Sequence, residues 1–224
     1  MAQQLIFDLP VRPALGREDF FVARANELAL AALDKGDWPL GKMLLVGPEG
    51  AGKSHIARVW AHDNAASIVP ADELERQDPP GLPALVIEDA DRIAGQAGAE
   101  TALFHWHNRM LEQGARLLIT ARQPPAQWGI LLADLESRMQ ATAIARIEPP
   151  DDTLLAAVLV KLFADRQVKV APGLIDWLLR RIDRSFSAAR DAVALLDAAS
   201  LRLRRPVTVI LAGEVLDSAE FDGP

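Results

Sequence analysis

The segment GPEGAGKS, at positions 47–54, constrains the fold of this chain more than any other. It fits the pattern G-x-x-x-x-G-K-[S/T] and lies between KMLLV, an apolar run typical of a buried strand, and SHIARVWAHDN, which has helical spacing. A glycine-rich turn between a strand and a helix presents backbone N–H groups to phosphate oxygens, and the helix N-terminus adds partial positive charge. The segment therefore predicts a phosphate-binding loop; the alternative is a glycine-rich turn with a chance lysine.

The residue types in this loop predict how ADP or ATP would bind. The Lys53 ammonium would neutralise the outer phosphates, and the Ser54 hydroxyl would ligate Mg²⁺. The predicted nucleotide contacts in the loop and the first helical turn are Gly47, Pro48, Gly50, Ala51, Gly52, Lys53, Ser54 and His55.

A pair of acids, Glu88 and Asp89, ends the next buried strand, ALVIED. In such a pair the first acid holds Mg²⁺ and the second polarises the attacking water. We assign the first role to Glu88 and the second to Asp89. The usual first acid is aspartate, and Glu88 is one methylene longer. Since water positioning tolerates little displacement, we expect weak or no autonomous ATP hydrolysis. The alternative is that both acids merely end a strand.

Thr120 ends the strand RLLIT, where a polar side chain can contact the γ-phosphate or the attacking water. Short apolar runs alternate with helical segments, which predicts a parallel sheet covered by helices on both faces. The predicted strands are 42–47, 67–70, 84–89, 116–120 and 142–147.

Only helical patterns follow Pro149 and Pro150, so a helical lid is predicted after a hinge. Asp151 or Asp152 is the expected N-cap of the first lid helix, and Pro172 is expected in the first turn of the second. The predicted segments are an N-terminal extended peptide and linker (1–15), a nucleotide-binding α/β domain (16–149), the lid (150–218) and a tail (219–224).

Composition excludes several classes of protein. The 224 residues contain no cysteine, which excludes disulfides and zinc–thiolate sites and fits a reducing compartment. The net charge is −7, which disfavours direct, sequence-specific DNA binding as the main role. No apolar run reaches the roughly 18 residues of a membrane helix, and the N-terminus lacks the features of a signal peptide. We therefore expect a cytoplasmic protein.

From Ala23 to Val215 the order of features resembles the AAA+ module of the bacterial replication initiator DnaA. The runs FHWHNRMLEQGARLLITARQPP (104–125) and DLESRM (134–139) carry that resemblance. The whole chain most resembles the Hda family, DnaA-related regulators that inactivate DnaA after replication starts. With no long N-terminal domain and no room for a DNA-reading domain, we expect a regulator rather than the initiator. The resemblance implies a P-loop AAA+ fold: a three-layer αβα parallel sheet with a small all-α lid.

The same family begins with a short peptide that docks on the DNA polymerase sliding clamp, its β subunit. QQLIFDLP, residues 3–10, resembles that peptide, with Gln4 as the polar anchor and Leu5, Phe7 and Leu9 as apolar contacts. The alternative is that this segment forms a first strand or packs on its own domain.

Arg138, in DLESRM, occupies the place of the superfamily's arginine finger. The resemblance implies that it enters the nucleotide site of a neighbouring molecule, either DnaA or a second copy of this chain. The alternative is a surface arginine paired with Asp134 or Glu136.

The family's lid arginine is replaced by Ser187, with Arg184 and Arg190 about one turn to either side. Arg190 is included in the predicted nucleotide site, although either arginine could reach the phosphates. His105 and His107 point apart on a helix, so no metal other than nucleotide-bound Mg²⁺ is expected.

The sequence is compared with three candidate functions. The first is a clamp-tethered, nucleotide-bound negative regulator of replication initiation that stimulates ATP hydrolysis by DnaA. The second is a helicase loader or other replication-associated AAA+ motor, which should hydrolyse its own ATP well. A P-loop small-molecule kinase is disfavoured, because such enzymes lack a threonine-ended sensor strand and a Ser-Arg finger loop.

Overall fold

A five-stranded parallel sheet forms the centre of the computed structural model, which describes residues 25–79 and 81–219. The strands lie in the order β2-β3-β4-β1-β5, so β1 lies between β4 and β5, and β4 separates β1 from β3. Their bounds are β1 Lys42–Val46, β2 Ser67–Pro70, β3 Ala84–Glu88, β4 Arg116–Ala121 and β5 Ala143–Arg146.

Helices cover both faces of this sheet because the side chains of each strand alternate between the faces. Leu44 and Val46 pack on one side with the helices α3, Ala97–Glu112, and α4, Ala133–Gln140. Two helices, α1 Glu27–Lys35 and α2 Lys53–Asp63, cover the other face. Met43 and Leu45 belong to the core on that side. The predicted three-layer αβα arrangement is confirmed.

The remaining helices pack around a separate apolar core, which confirms the predicted helical C-terminal region. Within the described residues they are α5 Asp152–Asp165, α6 Leu174–Leu179, α7 Phe186–Leu203 and α8 Val209–Ala219. The fully buried side chains of their core include Leu155, Phe163, Leu178, Val193 and Leu196. The predicted residue boundaries between the segments of the chain stay predictions.

Asp151 and Pro172 lie at the starts of the first two lid helices, where the sequence predicted an N-cap and a first-turn proline. Asp151 caps α5, since its Oδ1 accepts a hydrogen bond of 2.8 Å from the Leu154 N–H. The expectation for Pro172 is wrong. The helix α6 begins at Leu174 after Gly173, whose φ of 77° is left-handed, so Pro172 lies in the turn before the helix. In the described part of the chain, no helix is both long and apolar enough to cross a membrane.

Candidate functional site

The phosphate loop, residues 47–52, meets the ends of β3 and β4 at one edge of the sheet. The carboxyl ends of parallel strands share an edge, and β1, β4 and β3 are neighbours. At this edge the Asp89 N–H donates to Thr120 Oγ1 over 3.0 Å. The Thr120 side chain is fully buried there. The sheet therefore brings together three features that the sequence predicted separately.

Glycines give the loop its shape. Gly50 and Gly52 have φ values of 73° and 94°, which are left-handed conformations that residues with a Cβ rarely adopt. At Gly47 the limit is space, since a Cβ there would lie 2.7 Å from the Ile147 carbonyl oxygen. The loop ends in the first turn of α2, whose leading N–H groups have no partner within the helix. The backbone thus has the geometry that an oxyanion ligand requires.

Lys53 lies across the loop from which it extends. Its side chain is 7% exposed, and Nζ donates to Gly47 O over 2.7 Å and to Pro48 O over 2.9 Å. Burial lowers the pKa of Lys53, while the neighbouring carboxylates of Asp89 and Asp91 oppose the shift. A phosphate in the loop would offer the ammonium a charged partner in place of the two carbonyls. The next two residues, Ser54 and His55, lie half-buried in the same helical turn.

Two acids near the loop carry buried oxygens without partners. Glu88 Oε1 and Asp91 Oδ1 make no hydrogen bond to the residues the structure describes. Buried polar atoms in native proteins are nearly always satisfied, so a pair of orphaned carboxylate oxygens indicates an absent partner. Mg²⁺ with its water ligands would satisfy them. Among the described residues, no group of three or more His, Asp or Glu side chains could hold a metal ion.

Arg122 belongs to this site, although the sequence analysis did not predict it as a site residue. Its Nε donates to Asp91 Oδ2 over 3.1 Å, and Nη1 lies 3.9 Å from Glu49 Oε2 in the phosphate loop. The hydrogen bond and the charge of Asp91 raise the pKa of Arg122, and the guanidinium in turn lowers the pKa of Lys53. The available signal was its position, two residues after Thr120 at the shared edge of the sheet.

The lid contacts the loop through the turn that begins α7. The Phe186 N–H donates to Gly50 O over 2.8 Å, and its ring approaches Gly52. Ser185 caps the helix through a 3.0 Å bond from the Ala188 N–H, and its Oγ lies 3.0 Å from that of Ser187. Ser187, the residue expected in place of a lid arginine, therefore lies beside the loop, and that replacement stays a prediction.

The two candidate lid arginines have different surroundings. Arg184 makes a bidentate ion pair with Asp152, with Nε–Oδ1 at 3.0 Å and Nη2–Oδ2 at 3.1 Å. That pair holds its guanidinium on the first residue of α5. Arg190 is exposed on α7, and no ion pair joins it to another described residue. Arg190 is consequently the candidate whose guanidinium remains available, and its role stays a prediction.

Arg138 lies near the opposite edge of the sheet. Its backbone oxygen accepts a 3.0 Å hydrogen bond from Nζ of Lys42, the first residue of β1. The phosphate loop begins at Gly47, at the other end of that strand, which is about 16 Å away at about 3.3 Å per residue. The guanidinium is exposed and stacks on Phe104, 5.0 Å from the ring centroid. In the described ranges it forms no ion pair with Asp134 or Glu136. The predicted catalytic residues Asp89 and Thr120 are therefore adjacent, whereas Arg138 is remote from both.

A buried histidine lies beneath Arg138. Lys42 and His107 are 2% and 0% exposed, and Lys42 Nζ lies 3.1 Å from His107 Nε2. Burial, followed by the charge of Lys42, lowers the pKa of His107 to about 4. His107 is therefore a neutral acceptor at physiological pH. His105 is exposed on the other side of α3, so the two histidines point apart, as predicted.

The peptide that was predicted to bind a sliding clamp lies outside the described residues. Gln4, Leu5, Phe7 and Leu9 all precede residue 25, where the description begins. Their role stays a prediction.

Comparison of the sequence with known proteins finds a replication protein. The chromosomal replication initiator protein DnaA of Thermomicrobium roseum is 24% identical to this chain over 232 aligned positions. The alignment covers 92% of this chain and 50% of that protein, so the chain spans half the length of its curated relative. No protein-family model matches the chain.

Solved structures of DnaA and of RuvB have a similar fold. Domain III of the Thermotoga maritima initiation protein DnaA has a TM-score of 0.79 at 19% identity, over 94% of this chain and 98% of that one. AMPPCP-bound DnaA from Aquifex aeolicus has a TM-score of 0.71 at 16% identity, over 94% and 70%. The Thermotoga maritima RuvB branch migration motor has a TM-score of 0.60 at 14% identity, over 87% and 66%. The chain has the AAA+ fold of DnaA domain III.

Replacing Lys53 with Ala tests the phosphate loop. The variant removes the only side-chain ammonium within the loop and first helical turn, and we expect ADP and ATP affinity to fall at least tenfold, about 1.4 kcal/mol. Isothermal calorimetry measures both affinities, with Lys35→Ala, on the exposed end of α1, as the control. Equal affinities for the two variants would show that the loop does not bind nucleotide.

His107 makes stability depend on pH in a defined direction. Its folded pKa of about 4 lies below the ordinary value of 6.5, so the unfolded chain takes up the proton first as the pH falls. The contribution of the neutral ring to the free energy of unfolding is complete above pH 6.5. About 3 kcal/mol of it is lost as the pH falls from 6.5 to 4. Urea denaturation at pH 7 and pH 4 should show a loss in the parent that exceeds the loss in His107→Gln by about that amount. Equal losses would contradict the assignment.

Proposed function

We propose that this protein is a negative regulator of DNA replication initiation and a member of the Hda family. In this proposal a nucleotide-bound AAA+ adaptor docks on the sliding clamp and stimulates ATP hydrolysis by DnaA. The observation that carries the proposal is the position of Arg138, which is exposed, lacks an ion-pair partner among the described residues and is remote from its own phosphate loop. An arginine in that position is suited to act on the nucleotide of another molecule. The proposal implies a cytoplasmic location.

The stacking of Arg138 on Phe104 suits a residue that acts in trans. A cation–π contact uses none of the guanidinium's N–H donors in a hydrogen bond. The planar fork can then bind two phosphoryl oxygens where negative charge develops. Arginine fingers supplied in this way accelerate hydrolysis by roughly 10³–10⁵-fold.

The chain's own nucleotide would serve as a bound cofactor rather than a rapidly consumed substrate. The loop glycines, Lys53 and Ser54 would hold the phosphates of ADP or ATP, and the orphaned oxygens of Glu88 and Asp91 would receive Mg²⁺ and its waters. AMPPCP-bound DnaA of similar fold supports this assignment. A bound Mg²⁺ neutralises phosphate charge and orders the phosphate oxygens.

Slow autonomous hydrolysis is part of the proposal. Glu88 replaces the usual aspartate, and the Thr120 oxygen already accepts the N–H of Asp89. Ser187 occupies the place of the lid arginine, and Arg184 is held by Asp152. A longer acid, a missing lid arginine and a lid arginine held elsewhere each weaken stabilisation of the transition state in cis, whereas the Thr120 hydroxyl keeps its own donor.

Docking on the sliding clamp is assigned to residues 3–10. Gln4 would fix the register of the peptide through its amide, and Leu5, Phe7 and Leu9 would bury their side chains in a groove of the clamp. Tethering to the clamp would raise the local concentration of the regulator near newly replicated DNA.

A second candidate function is a replication-associated motor, such as a helicase loader. It is favoured by the similarity in fold to the RuvB branch migration motor. In that case Arg138 would enter the nucleotide site of a second copy of this chain, and a homo-oligomer would hydrolyse ATP by itself. ATPase activity that rises with the concentration of this chain alone would favour the motor over the regulator.

Arg138→Ala tests the proposed function. We expect the variant to fold and to bind nucleotide and clamp like the parent, because the side chain is exposed and no ion pair joins its guanidinium to another described residue. When it is mixed with ATP-bound DnaA on clamp-loaded DNA, stimulated hydrolysis should fall by about two orders of magnitude or more. Arg138→Lys should restore little, since a point charge lacks the planar fork.

Arg202→Ala is the matched control, because it also removes an exposed arginine but on a different helix, α7 in the lid. It should stimulate DnaA like the parent. Normal stimulation by Arg138→Ala would refute the trans-finger mechanism.

Deleting residues 1–9 tests clamp docking. Surface plasmon resonance on immobilised clamp should show loss of binding, while the thermal midpoint should stay within a few degrees. Gln4→Ala should weaken binding at least tenfold and Gln3→Ala should not, since only Gln4 is assigned as the anchor. If the shortened chain fails to fold, the segment is structural and the docking assignment is wrong.

A further inference from the structure

We infer that Glu100 and Lys42 are positioning residues for Arg138: two buried side chains of opposite charge that hold the two ends of α4. The inference rests on the proposed function of Arg138, and it assigns a task to side chains that the nucleotide site does not use. Both are almost completely buried, with exposures of 1% for Glu100 and 2% for Lys42.

Glu100, on α3, holds the start of α4. Its carboxylate accepts the N–H of Leu132 over 2.8 Å and the N–H of Leu131 over 3.0 Å, and it also accepts the Gly95 N–H over 2.7 Å. Leu132 is the N-cap of α4, and its apolar side chain cannot cap the helix. The Glu100 carboxylate instead holds the backbone of the N-cap and of the residue before it, Leu132 and Leu131, which lead into the helix. Negative charge near a helix N-terminus is also favourable electrostatically.

Lys42, on β1, holds the end of α4. Its Nζ donates to Arg138 O over 3.0 Å, and Thr142 Oγ1 donates to the same oxygen over 2.8 Å. That carbonyl lies in the last turn of the helix, where carbonyl groups have no intrahelical partner. His107 Nε2 accepts a second bond from Nζ and so fixes the ammonium. Positive charge at the C-terminal end of a helix completes the match to its dipole.

These contacts fix the residue from which the guanidinium extends. Lys42 binds the backbone oxygen of Arg138 itself, and the side chain of Arg138 stacks on Phe104, one turn along α3 from Glu100. The arginine is therefore held relative to α3 and β1 by both its backbone and its side chain. A displacement of about 1 Å of a catalytic group can cost roughly 10²-fold in rate, so such support would preserve the function of a finger.

The cost of burying these charges supports a positioning role over a purely stabilising one. Taking an ionised group out of water is unfavourable, and apolar side chains of similar volume often stabilise a protein equally well or better. Neither residue takes part in the loop that would bind nucleotide. What both share is a direct bond to the backbone of α4 or of the residues that lead into it.

Two isosteric variants, Lys42→Met and Glu100→Gln, test the inference in the full chain. Each is titrated into ATP-loaded DnaA on clamp-loaded DNA, and ADP affinity is measured by calorimetry. We expect the maximal stimulated rate to fall at least tenfold, while the half-maximal chain concentration and the ADP affinity stay within about twofold. Lys35→Met, on α1, and Glu112→Gln, on the exposed face of α3, are the matched controls and should behave like the parent.

Amide hydrogen exchange provides a second measurement that does not depend on DnaA. Exchange in α4 should quicken at least tenfold in either variant, while exchange in β1 stays unchanged. An unchanged maximal rate, or unchanged exchange in α4, would overturn the inference. So would a proportional loss of ADP affinity, because that would indicate a general role in folding. If Lys42→Met does not fold, Glu100→Gln decides the question by the same measurements.

The two proposals fail in different ways. If the parent chain does not stimulate DnaA, the proposed function is wrong, and hydrogen exchange still decides whether the two side chains hold α4. If the parent stimulates DnaA and both variants match it at saturation, only the positioning inference is wrong.

Discussion

The pairing of β1 with strands on both sides is the interaction on which the rest of this structure depends. Its ladder with β4 places Leu45 opposite Thr120, and its ladder with β5 places Leu45 opposite Ala145. Because the register of a buried parallel strand is fixed by its ladder and by both of its packed faces, each end of β1 has a defined position. The carboxyl end leads into the phosphate loop, and the amino end carries Lys42, which binds the helix of Arg138. One short strand thus sets the distance between the two functional regions.

The sequence predicted the elements well where the signal was local. The five strands were found because each is an apolar run bounded by turn residues, and the phosphate loop because its glycines and Lys53 have a fixed spacing. The cap of α5 was narrowed to Asp151 or Asp152 because both acids directly precede the helical pattern, and the structure shows that it is Asp151. Pro172 was misplaced because Gly173 begins the helix in a left-handed conformation, which the pattern of apolar residues does not report.

Residues whose roles depend on distant contacts could not be found in this way. Arg122 acts on Asp91 and Glu49, which are 31 and 73 positions away in the chain, and Glu100 acts on a helix that starts more than 30 positions later. From the sequence, Lys42 was only the first residue of a predicted strand, and His107 was only a helical residue that points away from His105. Their pairing across 65 positions exists only after the sheet and α3 have packed together. Charge and burial at such positions are products of the tertiary fold.

Gly50 illustrates how tightly two parts of the chain constrain each other. Its left-handed backbone shapes the phosphate loop, and its carbonyl oxygen receives the Phe186 N–H from the lid. A Cβ at this position would also lie 2.7 Å from that of Ser185. Substitution is therefore opposed twice, once by backbone strain and once by the neighbouring turn. In evolutionary terms the loop and the start of α7 cannot drift separately at this contact, so a lid exchanged between related proteins would have to bring a compatible loop with it.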